Sequence, residues 1–461
     1  MEAVAKSIPA TLLTLLLVTA VGVSTKAHAA DPQQGPHWIT APPMSQARLG
    51  HAMVELPRGP NALGLSEGSG KVMVIGGFDS EPLDIGIVPA NPLASCEIYD
   101  PTTNAWTPAA PHPVAAGWRW AVVLNNGMVL VAGGWSNASV DAFNTSSHLY
   151  DPKTNIWIAT QPLPIGVTNP HGFMRAILLP NGQVLIAGGL DDNCCNSQNG
   201  RIKSSKKSYL FTLNPRNPAA SSWQHTRSTS DGTVSVMPAE RTTSGLVLMN
   251  NGVVLNVGGF GPPANGSEFA ATNTADLYDP KAGTWAPAAP MPPVYGLGED
   301  EKVQDYANAP GSRWSPYAEL LGDGRVLVAG GTGGLDGGGG VWRKSALLYD
   351  PLMNTWSITN PMRARRGFGN WSGMLSVTGD ILFSGVGYKS GVLHDAAGEI
   401  FHPATQQWSY APTTNGPPAD SSVSSFEGRM IRLSNGNLQV AGGADETTQS
   451  LGTSGSWIFV Q

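Results

Sequence analysis

The sequence predicts an all-β fold, a ring of seven four-stranded antiparallel blades, and three observations carry that prediction. A glycine pair closing a short apolar strand occurs six times, with a seventh, degraded copy. A Tyr-Asp-Pro turn leading to a lone tryptophan follows in most copies. The 56 glycines and 37 prolines among 461 residues suit many short strands joined by tight turns, not helical bundles.

The glycine copies are MVIGGF (Gly76), LVAGGW (Gly133), LIAGGL (Gly188), LNVGGF (Gly258), LVAGGT (Gly330), LFSGVG (Gly385) and QVAGGA (Gly442). Their starts lie 57, 55, 70, 72, 55 and 57 residues apart, and the wide gaps mark inserted loops. A fixed period of this size signals one supersecondary unit repeated along the chain. That repeat overrides the two or three domains that length alone suggests.

The second element reads EIYDPTTNAW (Tyr99, Trp106), HLYDPKTNIW (Tyr150, Trp157), DLYDPKAGTW (Tyr278, Trp285), LLYDPLMNTW (Tyr349, Trp356) and a worn EIFHPATQQW (Phe401, Trp408). Proline presets φ while Asp and Asn bond nearby backbone, so each copy is a tight turn between two strands. A further turn precedes the glycine pairs, as in LNNGMV, LPNGQV, MNNGVV, LGDGRV and LSNGNL. The two turns define a four-stranded unit. The last copy, ending at Trp457-Ile458-Phe459-Val460-Gln461, supplies only three strands, and Trp38 in HWIT occupies the place of a terminal-strand tryptophan. The N-terminal strand is therefore expected to complete the last blade.

This order of elements resembles the Kelch repeat, and the likeness runs over essentially the whole chain after residue 30. It implies a β-propeller, in which a small twisted sheet buries both faces against its neighbours and closure leaves only short edges. The architecture is similar to the central domain of galactose oxidase and to N-acetylneuraminate epimerase. The galactose oxidase family's copper-radical chemistry needs a Tyr-His pair and a histidine from an added domain. This sequence has no Tyr-His dipeptide, and the propeller is expected to run to its last residues.

Residues 1–30 read as an export signal: Lys6, an apolar run from Thr11 to Val23, then Ala27-His28-Ala29 for a peptidase. The domain is expected over 31–461, secreted or periplasmic. No later stretch is long and apolar enough to span a bilayer. Without Glu2, Lys6 and Lys26 the chain keeps 25 basic and 32 acidic side chains in no long runs, which argues against nucleic acid. A monomer is expected.

The long irregular segments join second to third strands and blade to blade, so both emerge on one face, where a rigid scaffold gathers binding residues. The segments leading into the innermost strands bring arginine and aromatic residues: Arg48 with His51, Trp118-Arg119-Trp120, His171 with Phe173 and Arg175, Glu240-Arg241, Arg313 with Trp314 and Tyr317, Arg366 with Asn370 and Trp371, and Glu427 with Arg429. Guanidinium groups clamp carboxylates bidentately and aromatic rings offer flat faces to sugars. The expected ligand contacts are Arg119, Arg175, Arg241, Arg313, Arg429, Trp118, Trp120, Phe173, Asn370 and Trp371. The competing reading is that arginine before the first strand serves packing and turn bonding.

The histidines show no paired ligand spacing and no G-x-S-x-G elbow precedes a helix, so no metal, cofactor or such nucleophile is expected. GTGGLDGGGG at 331–340 reads as a loop. Cys194 and Cys195 are adjacent, and in an oxidising compartment they pair with each other or one pairs with Cys96; free thiols are the third alternative.

Two functions follow. One is a module binding a glycan, an acidic small molecule or an extracellular protein through the long-loop face. The other is a carbohydrate-active enzyme of epimerase, mutarotase or lyase type, with Glu240, Glu427, His171 and Tyr317 as acid/base candidates.

Overall fold

The computed structural model describes residues 35–60, 66–79, 91–136, 144–164, 176–189, 204–226, 234–261, 270–294, 311–333, 341–367, 371–375, 378–385, 387–389, 392–394, 398–412, 429–445 and 451–460. They form seven four-stranded antiparallel sheets, six of them simple meanders over 52–109, 120–159, 177–225, 245–288, 317–358 and 371–410. The seventh runs His37–Ala41, Ser456–Val460, Leu438–Ala441, Arg429–Arg432 from rim to axis, with Trp38 opposite Phe459. The expected closure by the N-terminal strand is thus what the structure contains.

The second strand of each blade is mostly apolar because it lies between two partners in its sheet and between two neighbouring sheets. Val129–Ala132, Val184–Ala187, Val254–Val257 and Val326–Ala329 are buried at every residue. Outer strands such as Ile156–Ala159 are half-buried to exposed at every residue. The core therefore sits in the seams. Val54, Met73, Val131 and Tyr150 fill the one between first and second blades; Val247, Leu255, Val328 and Tyr349 fill that between fourth and fifth. Trp38, Leu382, Met430 and Phe459 fill the seam beside the closing strand.

The Tyr-Asp-Pro signature latches each outer strand. The Tyr99, Tyr150 and Tyr349 hydroxyls donate to Asn104, Asn155 and Asn354 Oδ1 at 2.8–2.9 Å. These asparagines take φ of 50–55°, where Asn is better tolerated than most side chains. Asn155 and Asn354 also accept the Ala110 and Ala289 amides of the preceding blade, whose carbonyls take the Trp157 and Trp356 indole N–H. In the sixth blade hydroxyl and acceptor are lost together, as Phe401 and Gln406. In the fourth the acceptor alone is lost: Gly283 (φ 71°) stands where asparagine would, and the buried Tyr278 hydroxyl has no hydrogen-bond partner among the described residues. Gly283→Asn should therefore stabilise the chain by about 1 kcal/mol, one hydrogen bond gained and a flexible glycine removed. An unchanged or lower denaturation midpoint would refute this reading of the latch.

Candidate functional site at the long-loop face

Beyond the glycine pairs, second and third strands continue as short two-stranded ribbons in the fourth to seventh blades: Phe260–Gly261 with Ala270–Ala271, Thr332–Gly333 with Val341–Trp342, Gly387–Lys389 with Val392–His394, and Ala444–Asp445 with Leu451–Gly452. These ribbons crown one face of the ring and carry its long loops. The opposite face has tight Asn-Gly and Asp-Pro turns. Among the described residues, the lead-ins to the innermost strands of the first, second, fourth and fifth blades each bridge to the residue after the glycine pair, Leu49 to Phe78, Gly117 to Trp135, Thr242 to Phe260 and Trp314 to Thr332. A left-handed residue then turns the chain into the strand: Gly50, Trp118, Thr243 and Ser315.

The residue before that bridge joins one blade to the next. Its carbonyl accepts the N–H of the preceding blade's second glycine: Gly77 to Ala116, Gly189 to Arg241, Gly259 to Arg313, Gly331 to Arg366 and Gly443 to Arg48, all at 2.8–3.0 Å. Glycine is required beside this carbonyl. At Gly258, with φ of 64°, a Cβ would come 2.5 Å from the Arg313 oxygen.

Four of these residues are arginines, and their guanidinium groups fold back over their own blade. Arg48 donates to Gly76 O, Ser95 O and Oγ, and Glu97 Oε1 at 2.7–3.2 Å. Arg241 donates to Gly258 O, Thr274 O and Oγ1, and Asp276 Oδ2 at 2.6–3.1 Å. Arg313 meets Gly330 O, Ser345 O and Ser345 Oγ. Arg366 pairs with Glu399 Oε1 at 3.1 Å. All four are fully buried. The acids also cap the incoming loop, since Glu97 accepts the Ser45 and Gln46 amides and Glu399 those of Arg363 and Ala364. Burial pushes the Glu97 carboxyl up, but the bonds from Ser45 and Arg48 outweigh it and hold it below the usual range. At Asp276 burial prevails over Arg241 and the carboxyl is raised.

Arg241 and Arg313, expected as ligand contacts, are thus blade clamps: a guanidinium with no solvent exposure and its donors on backbone and on a hydroxyl or carboxylate of its own blade cannot meet a ligand without the blade opening. Arg119 is a variant of the same device. The second blade has Ala116 at the clamp position and His148 at the acid's register position, and Arg119, 2% exposed, donates to Val114 O at 2.8 Å and bonds His112 Nε2 at 3.1 Å. His112 places Nδ1 against Val114 O, and its ring lies edge-on to His148 at 4.6 Å. Burial, then the Arg119 charge and His148, push the His112 imidazole down to about 2; burial and Arg119 lower His148 as well.

Because the unfolded chain binds a proton on His112 near pH 6.5 and the folded chain does not, stability is full above that pH. It is lost as pH falls toward 2, at about 1.4 kcal/mol per unit for this residue. Urea unfolding at pH 7.5 and pH 5.0 should differ by at least about 2 kcal/mol. Equal midpoints would contradict a neutral buried His112.

The other expected residues divide sharply. Trp118 is 5% exposed and packs with Leu49, Phe78 and Trp135 beside the axis, edge-on to Phe78 at 4.8 Å. Trp120 instead points into the seam with the third blade, edge-on to Trp223. Tyr317 is also in a seam, against Phe383, and its hydroxyl donates to Glu319 at 3.1 Å, which corrects its assignment as an acid/base group at the axis. Glu240 is half-buried, next to the Arg241 clamp. Arg429 is half-buried at the axial start of its strand, its Nε donating to His51 O at 3.0 Å. Neither ring nitrogen of the fully buried His51 has a hydrogen-bond partner among the described residues; burial, Arg48 and Arg429 lower its pKa well below the usual imidazole range. His171, Phe173, Arg175, Asn370, Glu427, Cys194 and Cys195 lie outside the described residues, as does the side chain of Trp371. Cys96 is a free buried thiol.

Sequence reasoning missed the aromatic residues directly after the glycine pairs, Phe78, Trp135 and Phe260, the last 5.6 Å from Trp314. Their signal was the recurring GGF and GGW. Among the described residues no group of acids, histidines and cysteines has metal-binding geometry, and no helix is long and apolar enough to cross a membrane.

The Kelch motif family model matches residues 65–113. The chain is 27% identical over 259 residues to Kelch-like protein 25 of Xenopus tropicalis, covering 55% of this chain and 35% of that protein. It is 32% identical over 128 residues to Kelch-like protein 35 of Mus musculus (28% and 18%), and 23% identical over 347 residues to Kelch-like protein 36 of Bos taurus (74% and 47%). It spans less than half the length of each. The solved structure of YjhT superposes with a TM-score of 0.50 at 14% identity, covering 80% of this chain and 99% of that one, a likeness of fold alone.

Proposed function

This chain being a β-propeller built of Kelch repeats, we propose that it is an exported binding module that takes an extracellular protein partner on its long-loop face. The observation that carries this reading is the crown of ribbons on that face with the half-buried Trp314 and Trp342, beside arginines spent on the scaffold. Aromatic side chains supply large contact area, and loops on a rigid ring supply specificity. Export rests on the apolar run at Thr11 to Val23.

A photo-crosslinking residue in place of the half-buried Trp314 should capture the partner from the medium in which the protein is exported. The same residue in place of the exposed Thr103, in a tight turn of the opposite face, should not. Equal capture from both positions would overturn the assignment of the face.

A second reading, an acidic carbohydrate held at the axis, with an epimerase, mutarotase or lyase as its catalytic form, is favoured by Arg429 beside His51. If it holds, calorimetry with matched acidic and neutral sugars gives a roughly tenfold or larger preference for the acid, and Arg429→Ala removes it.

A further inference from the structure

The sixth blade departs from its siblings at one turn. In the first, second, fourth and fifth blades the residue after the tyrosine is Asp100, Asp151, Asp279 or Asp350. Its carboxylate accepts the amide two residues on, from Thr102, Lys153, Lys281 or Leu352, at 2.8–3.0 Å. In the first blade that aspartate also pairs with Lys71 at 2.8 Å. The sixth blade reverses the pair: His402 stands in the aspartate's place and Asp380 in the lysine's, with His402 Nδ1 3.1 Å from Asp380 Oδ1.

Two consequences follow. An imidazole held by a carboxylate on Nδ1 keeps its proton there and leaves Nε2 as an acceptor. That nitrogen lies 2.8 Å from Ser409 Oγ. The strand register sets Ser409 opposite Ile400 and Gln407 opposite His402, so serine and imidazole share one face. The turn amide of Ala404, deprived of its capping carboxylate, has no acceptor among the described residues and lies on an exposed residue. His402 and Asp380 are each about a third exposed, at 34% and 36%, so the group is open to solvent.

We propose that Ser409, His402 and Asp380 form a nucleophilic site for small carboxylic esters, separate from the long-loop face. Ser409 Oγ attacks the ester carbonyl carbon while His402 Nε2 takes the hydroxyl proton. The carbonyl electron pair moves to oxygen, where the Ala404 N–H donates to it. The tetrahedral species collapses, the bond to the alkoxy oxygen breaks, and the proton on His402 leaves with the alcohol. Water, deprotonated by the same imidazole, then releases the carboxylic acid and restores Ser409. Ser409 and His402 are the catalytic residues and Asp380 is a positioning residue.

Ser357 serves as an internal control, since it holds the register position of Ser409 in the fifth blade and has no histidine beside it. The test treats the full chain with diisopropyl fluorophosphate and follows each serine by peptide mass spectrometry, alongside p-nitrophenyl acetate turnover. Ser409 should be labelled at least about 100-fold faster than Ser357, the low end of what a positioned base contributes. His402→Gln should abolish that advantage, Asp380→Asn should reduce it, and Asp380→Glu should restore part of it, all with unchanged melting temperature. Equal labelling of Ser409 and Ser357, no labelling of either, or ester turnover unchanged in Ser409→Ala would overturn the proposal.

Discussion

Trp38→Ala is expected to destabilise the chain by about 3–5 kcal/mol, the range for truncating a large buried aromatic. Trp38 is 1% exposed, stands opposite Phe459 in the closing ladder and meets its ring edge-on at 4.9 Å. Its cluster, with Leu382, Met430 and Leu438, fills the seam between sixth and seventh blades. The strand carrying it is the one pairing that joins the two ends of the chain in the last blade, so its loss exposes the edge of Ser456–Val460 as well as a cavity. Deleting residues 31–44 should cost more still. If Trp38→Ala unfolds at the wild-type denaturant midpoint, closure does not depend on this strand.

The second large effect is at Arg241. Arg241→Ala leaves Asp276 buried and unpaired, and breaking one side of such a pair costs about 3–5 kcal/mol. Burial disfavours both charges, raising Asp276 and lowering Arg241, so the pair stabilises less than its loss on one side destabilises. Arg241→Met with Asp276→Leu should therefore recover most of the loss. The fifth blade already has an apolar residue, Leu347, where Asp276 stands in the fourth. Measured by urea unfolding, a double variant no more stable than Arg241→Ala would contradict this account.

The ring was legible because its signals are local. A glycine pair, an Asp-Pro-x-x-Asn turn and a tryptophan each act within a few residues, and repetition multiplies a weak pattern. The missing strand of the last blade was legible by the same logic, from Trp38. The arginines were misread because position along a strand does not say which way a guanidinium turns. In three of the four blades an acid 33 to 49 residues later, on the third strand of the same blade, decides it, and in the fifth Ser345 takes that part. The clue was present in CEIYD, ADLYD and EIFHP, where an acid recurs in three of the four blades that have the arginine, and in SHLYD, where both are replaced. Asp380, His402 and Ser409 could not be read this way, because they meet only through the register of three strands. Tyr317 and Trp120 were misplaced for a related reason, since successive residues of an innermost strand turn to opposite seams.

The central claim is that the axial arginines hold blades together and do not line the ligand site. Modification of the native chain with phenylglyoxal, mapped by peptide mass spectrometry, tests it most directly. Arg241 and Arg313, fully buried and bonded on both terminal nitrogens, should stay unmodified until the chain is unfolded. The exposed Arg216 and Arg432 should react as fast in the folded chain as in the unfolded one. Modification of Arg241 and Arg313 in the folded chain at the rate of Arg216 and Arg432 would contradict the account and return both residues to the ligand.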